Sequence, residues 1–225
     1  MYLETRGRGG YDGAVARPDD ELLSGWQAGD AAAGNAFVDR HFAAIGRFFR
    51  NKVASEDDAT DLVSQTFLGC TASKDRYRGD ASVRQFLFSI AHNVLYKYIR
   101  GRYKRSREQL DFAEVCVHDT FPASLSSIVM HRREAQSFVQ ALREIPVDDQ
   151  VVLELMYFEG LSGAEIAATL GLPEGTVRGR VARGKQRLRD KIEALLARTA
   201  APASVAPDQL DVWAREVRVA QGWQR

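Results

Sequence analysis

Residues 161–184, LSGAEIAATLGLPEGTVRGRVARG, restrict the fold more than any other stretch of the chain. Ser162 and Glu165 have the spacing of a capping box, so a helix starts there. It must be short. Gly171 stands where a helix ends in a left-handed residue, and Pro173 blocks its extension. The small residues Ala164, Ala167 and Ala168 let a second helix pack closely. That second helix starts after Pro173 and carries Arg178, Arg180, Arg183, Lys185, Arg187 and Arg189. A capped short helix, a glycine turn and a long basic helix make a helix-turn-helix, whose second helix lies in a DNA major groove. Arginine there can take guanine through two hydrogen bonds, and other cations can hold phosphates. A solvated amphipathic helix would explain the arginines alone, but not the cap, the turn and the proline beside them.

Charge elsewhere is balanced but segregated. The 225 residues hold 31 Lys+Arg and 30 Asp+Glu, a net charge of +1, so net charge alone says nothing about nucleic acid. Acidic residues gather at Glu56, Asp57, Asp58 and Asp61, and basic ones at 97–107 and 178–191. Such separation suits different partners on different faces. The two cysteines, Cys70 and Cys116, argue against a disulfide framework and fit a reducing cytoplasm. Residues 1–17 read as neither a signal peptide nor a membrane span, and no stretch reaches about 18 uninterrupted apolar residues. A cytoplasmic protein without membrane insertion is expected.

The rest of the chain reads as helix. Residues 1–18 are a flexible N-terminal tail ending at Pro18. From Asp19 the pattern turns helical, with Phe37, His41, Phe42, Ile45, Phe48, Phe49 and Val53 in phase. Ser55 with Asp58 starts another helix, striped by Leu62, Val63, Thr66, Phe67 and Cys70. A polar stretch over 71–81 leads to a third cap, Ser82 with Gln85. The doublets Phe86/Leu87, Ile90/Ala91, Val94/Leu95 and Tyr98/Ile99 follow. Residues 106–125 lose periodicity and form a linker. Helix resumes through Ile128/Val129, Ala135, Phe138/Val139 and Leu142, up to Pro146. Asp148 or Asp149 can cap the next helix, whose apolar face is Val151, Val152, Leu155 and Met156, and Gly160 ends it. The long basic helix turns Val177, Val181, Leu188, Ile192 and Leu195 inward. An Ala/Pro segment precedes one more short helix at 208–220, with Leu210, Trp213, Val217 and Ala220 on a face. The expected fold is all-α, with two small helical domains joined by a flexible linker. The divisions are 1–18 tail, 19–105 first domain, 106–125 linker, 126–198 helix-turn-helix domain and 199–225 C-terminal extension.

An enzyme is a poor reading. His41, His92, His118 and His131 are scattered, and Cys116 with His118 is too small a set for a metal. No HExxH, GxSxG or phosphate loop appears. No catalytic residue, metal or cofactor is expected. A stand-alone helix-turn-helix regulator binding as a dimer is the competing reading, and it leaves residues 55–105 unexplained.

The segment EIPVDDQVVLELMYFEGLSGAEIAATLGLPEGTVRGRVARGKQRLRDKI resembles region four of bacterial extracytoplasmic-function (ECF) sigma factors. EDDATDLVSQTFL resembles the region-two helix that docks on the polymerase clamp. YRGDASVRQFLFSIAHNVLYKYIR resembles the segment that reads and melts the minus-ten element. The resemblance spans roughly residues 20–198. It implies a subunit that binds core RNA polymerase and promoter DNA, leaves room for an anti-sigma partner, and needs no cofactor. It assigns Asp58, Asp61, Leu62 and Gln65 to polymerase contact, with Phe67 a core residue in the same segment. It assigns Arg76, Tyr77, Asn93, Tyr96, Lys97 and Arg100 to the minus-ten element, with Arg102, Lys104 and Arg105 on phosphates. A captured base needs a polar pocket and stacking walls, which Arg76, Tyr77, Asn93 and Tyr96 could supply. For the minus-thirty-five element it gives Arg178 and Arg183 base edges, and Thr176, Arg180, Lys185 and Arg187 the backbone. Glu165 remains a cap. The chain departs from the family pattern at Phe86, His92 and Lys97, often Trp, Arg and Asp, and at Gly179 and Gly184, usually Ser and Ala. Each mid-helix glycine costs about 1 kcal/mol relative to alanine.

Overall fold

The computed structural model describes residues 17–53, 55–103, 133–197, 205–206 and 208–220. The expected linker at 106–125, Lys104 and Arg105, Cys116, Ile128, Val129 and residues 1–16 lie outside them. Nine α-helices and no strand occur among the described residues, in keeping with the all-α, two-unit reading.

The first unit holds α1 (Asp19–Gln27), α2 (Ala31–Arg50), α3 (Glu56–Ser73) and α4 (Val83–Tyr103). The chain does not run as one helix from Asp19. Gly29 takes φ +93°, and Asp30 caps α2 by accepting from the N–H groups of Ala32 and Ala33 at 2.9 and 3.2 Å. Val53 is buried but lies beyond the end of α2. Ser55 caps α3 by accepting from the Asp58 N–H at 3.1 Å. Ser82 and Gln85 form the expected reciprocal pair at the start of α4, at 2.7 and 3.2 Å. Of the α4 doublets, the second members Leu87, Ala91, Leu95 and Ile99 are fully buried. Phe88, between them, is buried edge-on against Phe48. Phe37, Phe49 and Ile45 of α2 are sealed from water beneath them.

The second unit holds α5 (Arg133–Arg143), α6 (Val147–Tyr157), α7 (Gly163–Leu170), α8 (Glu174–Ala197) and α9 (Gln209–Ala220). Every residue of α6 from Val147 to Leu155 is buried, because α6 has neighbours on two sides. One side joins Phe138, Leu142, Leu153, Leu188 and Ile192 with the α9 residues Leu210, Trp213, Ala214 and Val217. On the other, Val151, Val152 and Leu155 continue the apolar cluster of the first unit. Trp213 is therefore packed in a core, while Trp223 lies outside the described residues.

One expected cap is corrected. Neither Asp148 nor Asp149 caps α6, which starts at Val147 behind Pro146 with no side-chain cap. Both carboxylates lie in the first turn, where the helix dipole favours negative charge, and both are spent on cations of other elements.

Candidate nucleic-acid interface

The helix-turn-helix is built as its residues require. Ser162 accepts from the Glu165 N–H at 3.3 Å, and the Glu165 carboxylate accepts from the Ser162 N–H at 2.8 Å; the Ser162 side chain first, and then its N–H, hold that carboxyl below its ordinary range. Gly171 ends α7 at φ +66°, a conformation costly for any residue with a Cβ. α8 then runs for 24 residues. The structure accounts for one of its two unusual glycines. A Cβ on Gly184 would stand 3.1 Å from the Asp149 Cβ and 3.2 Å from Leu153 Cδ1, so glycine lets α8 approach α6. At Gly179 the nearest atom is the flexible Arg183 Nη1 at 3.4 Å, and no packing demands glycine.

The basic residues of α8 divide into two groups. Thr176, Arg178 and Arg183 are exposed. Arg180 pairs with Asp148 at 2.5 Å, Arg187 with Asp149 at 2.8 Å, and Lys185 with Asp211 of α9 at 3.7 Å. The proposed base readers Arg178 and Arg183 thus face water, as does Thr176, while the proposed backbone clamps Arg180, Lys185 and Arg187 rest on carboxylates of the chain itself.

On the first unit, Arg76, Asn93, Lys97 and Arg100 are exposed. The Tyr77 ring packs on Phe86, centroids 5.1 Å apart, and its hydroxyl donates to the Ala81 carbonyl at 2.5 Å. Burial, then nearby Asp20, raises the pKa of that hydroxyl. A cavity of about 350 Å³ opens beside this loop, lined by Arg76, Tyr77, Gln85, Phe86 and Ser89, with Ala168 and Thr169 of α7 as one wall. Tyr96 is half-buried, its ring tilted against His92 with centroids 4.2 Å apart, and donates to Asp148 Oδ1. Burial holds the His92 pKa down to about 4 against the pull of Asp148. Burial also pushes the Tyr96 hydroxyl well above its usual range.

Along α3, Asp61 and Gln65 are exposed and Asp58 pairs with Arg102 at 2.9 Å. Leu62 is buried at 2% exposure and also lines an open cavity with Gln65, Lys97 and Arg102. Leu68, unremarked in the sequence, is 69% exposed one turn beyond Gln65. Phe67 is buried and stacks on half-exposed Phe42.

A polar contact between the units was not foreseen. Lys52 Nζ is fully buried, donates to the Glu154 carboxylate and to the Phe48 carbonyl at 2.8 Å, and lies 4.0 Å from the Phe48 ring centroid. Glu154 also accepts from Gln150 at 3.0 Å, and Gln150 donates to the Asn51 carbonyl at 3.2 Å. Burial lowers the Lys52 pKa, and Glu154 opposes that shift. Nearby, Arg84 pairs with Glu159 at 3.3 Å. Glu154 interrupts an apolar run, Val151–Met156, which is the one sequence signal that could have found this contact.

Two helical units, one carrying a helix-turn-helix with an exposed arginine pair, are the architecture of a DNA-binding protein. Residues 37–105 match the Sigma-70 region 2 family and residues 135–188 the Sigma-70, region 4 family. The chain belongs to the sigma-70 family, in its ECF group: it is a sigma factor, and the family is non-enzymatic. It is 26% identical over 186 residues to the ECF RNA polymerase sigma-E factor of Escherichia coli K12, covering 80% of this chain and 97% of that protein. The Haemophilus influenzae sigma-E factor is likewise 26% identical, over 184 residues, covering 79% and 97%. Among solved structures, CnrH bound to the cytosolic domain of CnrY is similar at TM-score 0.55 and 25% identity, covering 81% of this chain and 99% of that one. The sigma factor RpoE with the anti-sigma factor NepR from Bartonella quintana has the same fold at TM-score 0.53 and 24% identity, covering 69% and 94%. No described helix is long and apolar enough to cross a membrane.

Proposed function

We propose that this sigma factor binds core RNA polymerase, takes hold of the minus-ten and minus-thirty-five elements with its two units, and promotes melting between them. The domain limits are those read from the sequence, 19–105 and 126–198. The observation that supports this best is the exposure of Arg178 and Arg183 on the second helix of a capped helix-turn-helix. Arginine so placed can take guanine edges, while Thr176, Arg180, Lys185 and Arg187 hold the backbone. Asn93, Lys97, Arg100 and the Arg76–Tyr77 loop meet the minus-ten element, and the cavity beside Tyr77 and Phe86 has room for an unstacked base. Polymerase docks along exposed α3, through Asp61 and Gln65 with Leu68 as the apolar contact, and Asp58 at its edge.

An anti-sigma partner, as RpoE has in NepR, is part of this reading, and the site of action is the cytoplasm. The test is co-purification with core polymerase. The wild-type chain is retained and Asp61→Lys is recovered in much lower yield; undiminished recovery removes α3 as the docking face.

A further inference from the structure

Resting on the minus-ten reading above, we propose that α1 is the backing of the minus-ten loop, and that Gln27 at its end is the positioning residue that keeps the base cavity in shape. α1 lies ahead of residue 37, where the match to region 2 begins.

The loop has little to hold it from within. After α3 the chain makes one turn of 3-10 helix, Lys74–Arg76, and then passes through Gly79 at φ +81° to the Ser82 cap. This stretch gives Arg76, Tyr77, Asp80 and Ala81 to the cavity, with Phe86 and Ser89 of α4. The turn closes on a local hydrogen bond, from the Tyr77 N–H to the Lys74 carbonyl at 3.0 Å. Fixing such a loop costs backbone entropy, and a captured base would otherwise have to offset that cost.

α1 supplies the missing support. Gln27 Nε2 donates to the Lys74 carbonyl at 2.6 Å and lies 3.5 Å from the Tyr77 carbonyl. The Lys74 carbonyl therefore accepts twice, from the N–H that closes its own turn and from an amide 47 positions earlier. Asp20, in the first turn of α1, lies 3.4 Å from the Tyr77 hydroxyl, which also donates to the Ala81 carbonyl at 2.5 Å. The helix itself is anchored by apolar packing. Leu22 and Leu23 are buried, and the Trp26 ring lies 5.6 Å from that of Phe37 on α2. Position 27 thus joins a fixed helix to the loop that lines the cavity. An amide suits that place, because it donates to a carbonyl without adding charge beside a strand of phosphates. With the loop held in advance, apparent affinity for a captured base is not reduced by the fraction of loops in other shapes.

The test compares wild type with Gln27→Ala and Gln27→Glu in two measurements. One is hydrogen exchange of the free chain. The other is binding, with core polymerase present, of the non-template strand of a promoter that the chain uses in run-off transcription. Exchange over residues 74–82 is expected to rise about 5-fold in Gln27→Ala. It should rise further in Gln27→Glu, whose carboxylate has no proton to donate, while the buried α4 residues Ala91 and Leu95 stay protected. Affinity for the intact strand is expected to fall about 5-fold, as when one loop in five keeps the capturing shape. Affinity for a strand lacking the captured base is expected to stay level. Unchanged loop exchange in both variants overturns the hold of α1 on the loop, whatever the strand does. Lost protection at Ala91 and Leu95 overturns it too, by making Gln27 a general structural residue. Raised loop exchange with equal losses on intact and abasic strands removes Gln27 as a positioning residue for the cavity. Raised loop exchange in the variants, with a wild-type chain that binds intact and abasic strands alike, leaves the hold standing and sinks the minus-ten reading instead.

Discussion

The helix-turn-helix unit is gripped from two sides by different chemistry. α9 covers one side with Leu210, Trp213, Ala214 and Val217, all buried against Phe138, Leu142 and Leu188. The first unit covers the other with apolar residues too, but ties them with Lys52, Tyr96 and Arg84 on Glu154, Asp148 and Glu159. Apolar area gains free energy only while it stays out of water. Charged groups lose little by returning to water together. The C-terminal helix therefore behaves as part of its domain, and the contact with the first unit adds buried ion pairs to an apolar seam.

The largest expected effect falls on the apolar side. Trp213→Ala removes a side chain that is 8% exposed and should cost about 3–5 kcal/mol in urea unfolding; removal of residues 201–225 should cost at least as much. Unchanged unfolding would break the comparison by making α9 a loose tail.

Next is the reading helix, where the exposed and the tied arginines can be told apart. Arg183→Ala should cost ~1–3 kcal/mol of promoter binding in the polymerase complex and relax selectivity at one position. Unaltered selectivity removes Arg183 from the base readers. The glycines sharpen the same region: Gly179→Ala should stabilise by about 1 kcal/mol, whereas Gly184→Ala should gain nothing, because its Cβ meets Asp149 and Leu153. Equal gains in thermal unfolding would mean that α6 and α8 are not in that contact.

Smallest is the effect of Glu154→Gln on unfolding. A lysine stranded in a fixed core would cost about 3–5 kcal/mol. Glutamine keeps an acceptor beside Lys52 but not its counter-charge, so the loss should stay below that figure. A loss as large as that of Trp213→Ala would make the two contacts alike. The same variant has a spectroscopic readout in His92, which lies among Asp148, Arg180, Arg100 and Asn93. Its pKa, held near 4 by burial, should stay low in the variant as long as the units remain packed. An NMR titration in which it rises toward the ordinary value would show that the units separate.

What the sequence disclosed was local. The caps at Ser55, Ser82 and Ser162, the turn at Gly171 and the stripe of α3 depend on residues within a few positions and stand in the structure as the sequence implies, whereas on α4 only the second member of each doublet is fully buried, with Phe88 beside them. The break at Gly29–Asp30 was missed because apolar spacing continues across it, although Gly followed by Asp is a turn and cap signal. Asp148 and Asp149 were read as caps because that is what the nearest residues allow; their actual partners are Tyr96, Arg180 and Arg187, 52, 32 and 38 positions away. Lys52 carried no signal, since lysine is almost never buried unless paired, and its partner lies 102 positions along. Leu62, which the resemblance gives to polymerase contact, is packed to 2% exposure at the floor of a cavity beside Gln65. Leu68 instead carries the exposed apolar group on that helix.

Run-off transcription with purified core polymerase and a promoter library tests the sigma-factor reading most directly. The chain should redirect initiation to a defined set of promoters sharing two spaced elements, and Arg183→Ala should shift preference in the upstream element only. Start sites identical with and without the chain would contradict its role as a promoter-selecting subunit.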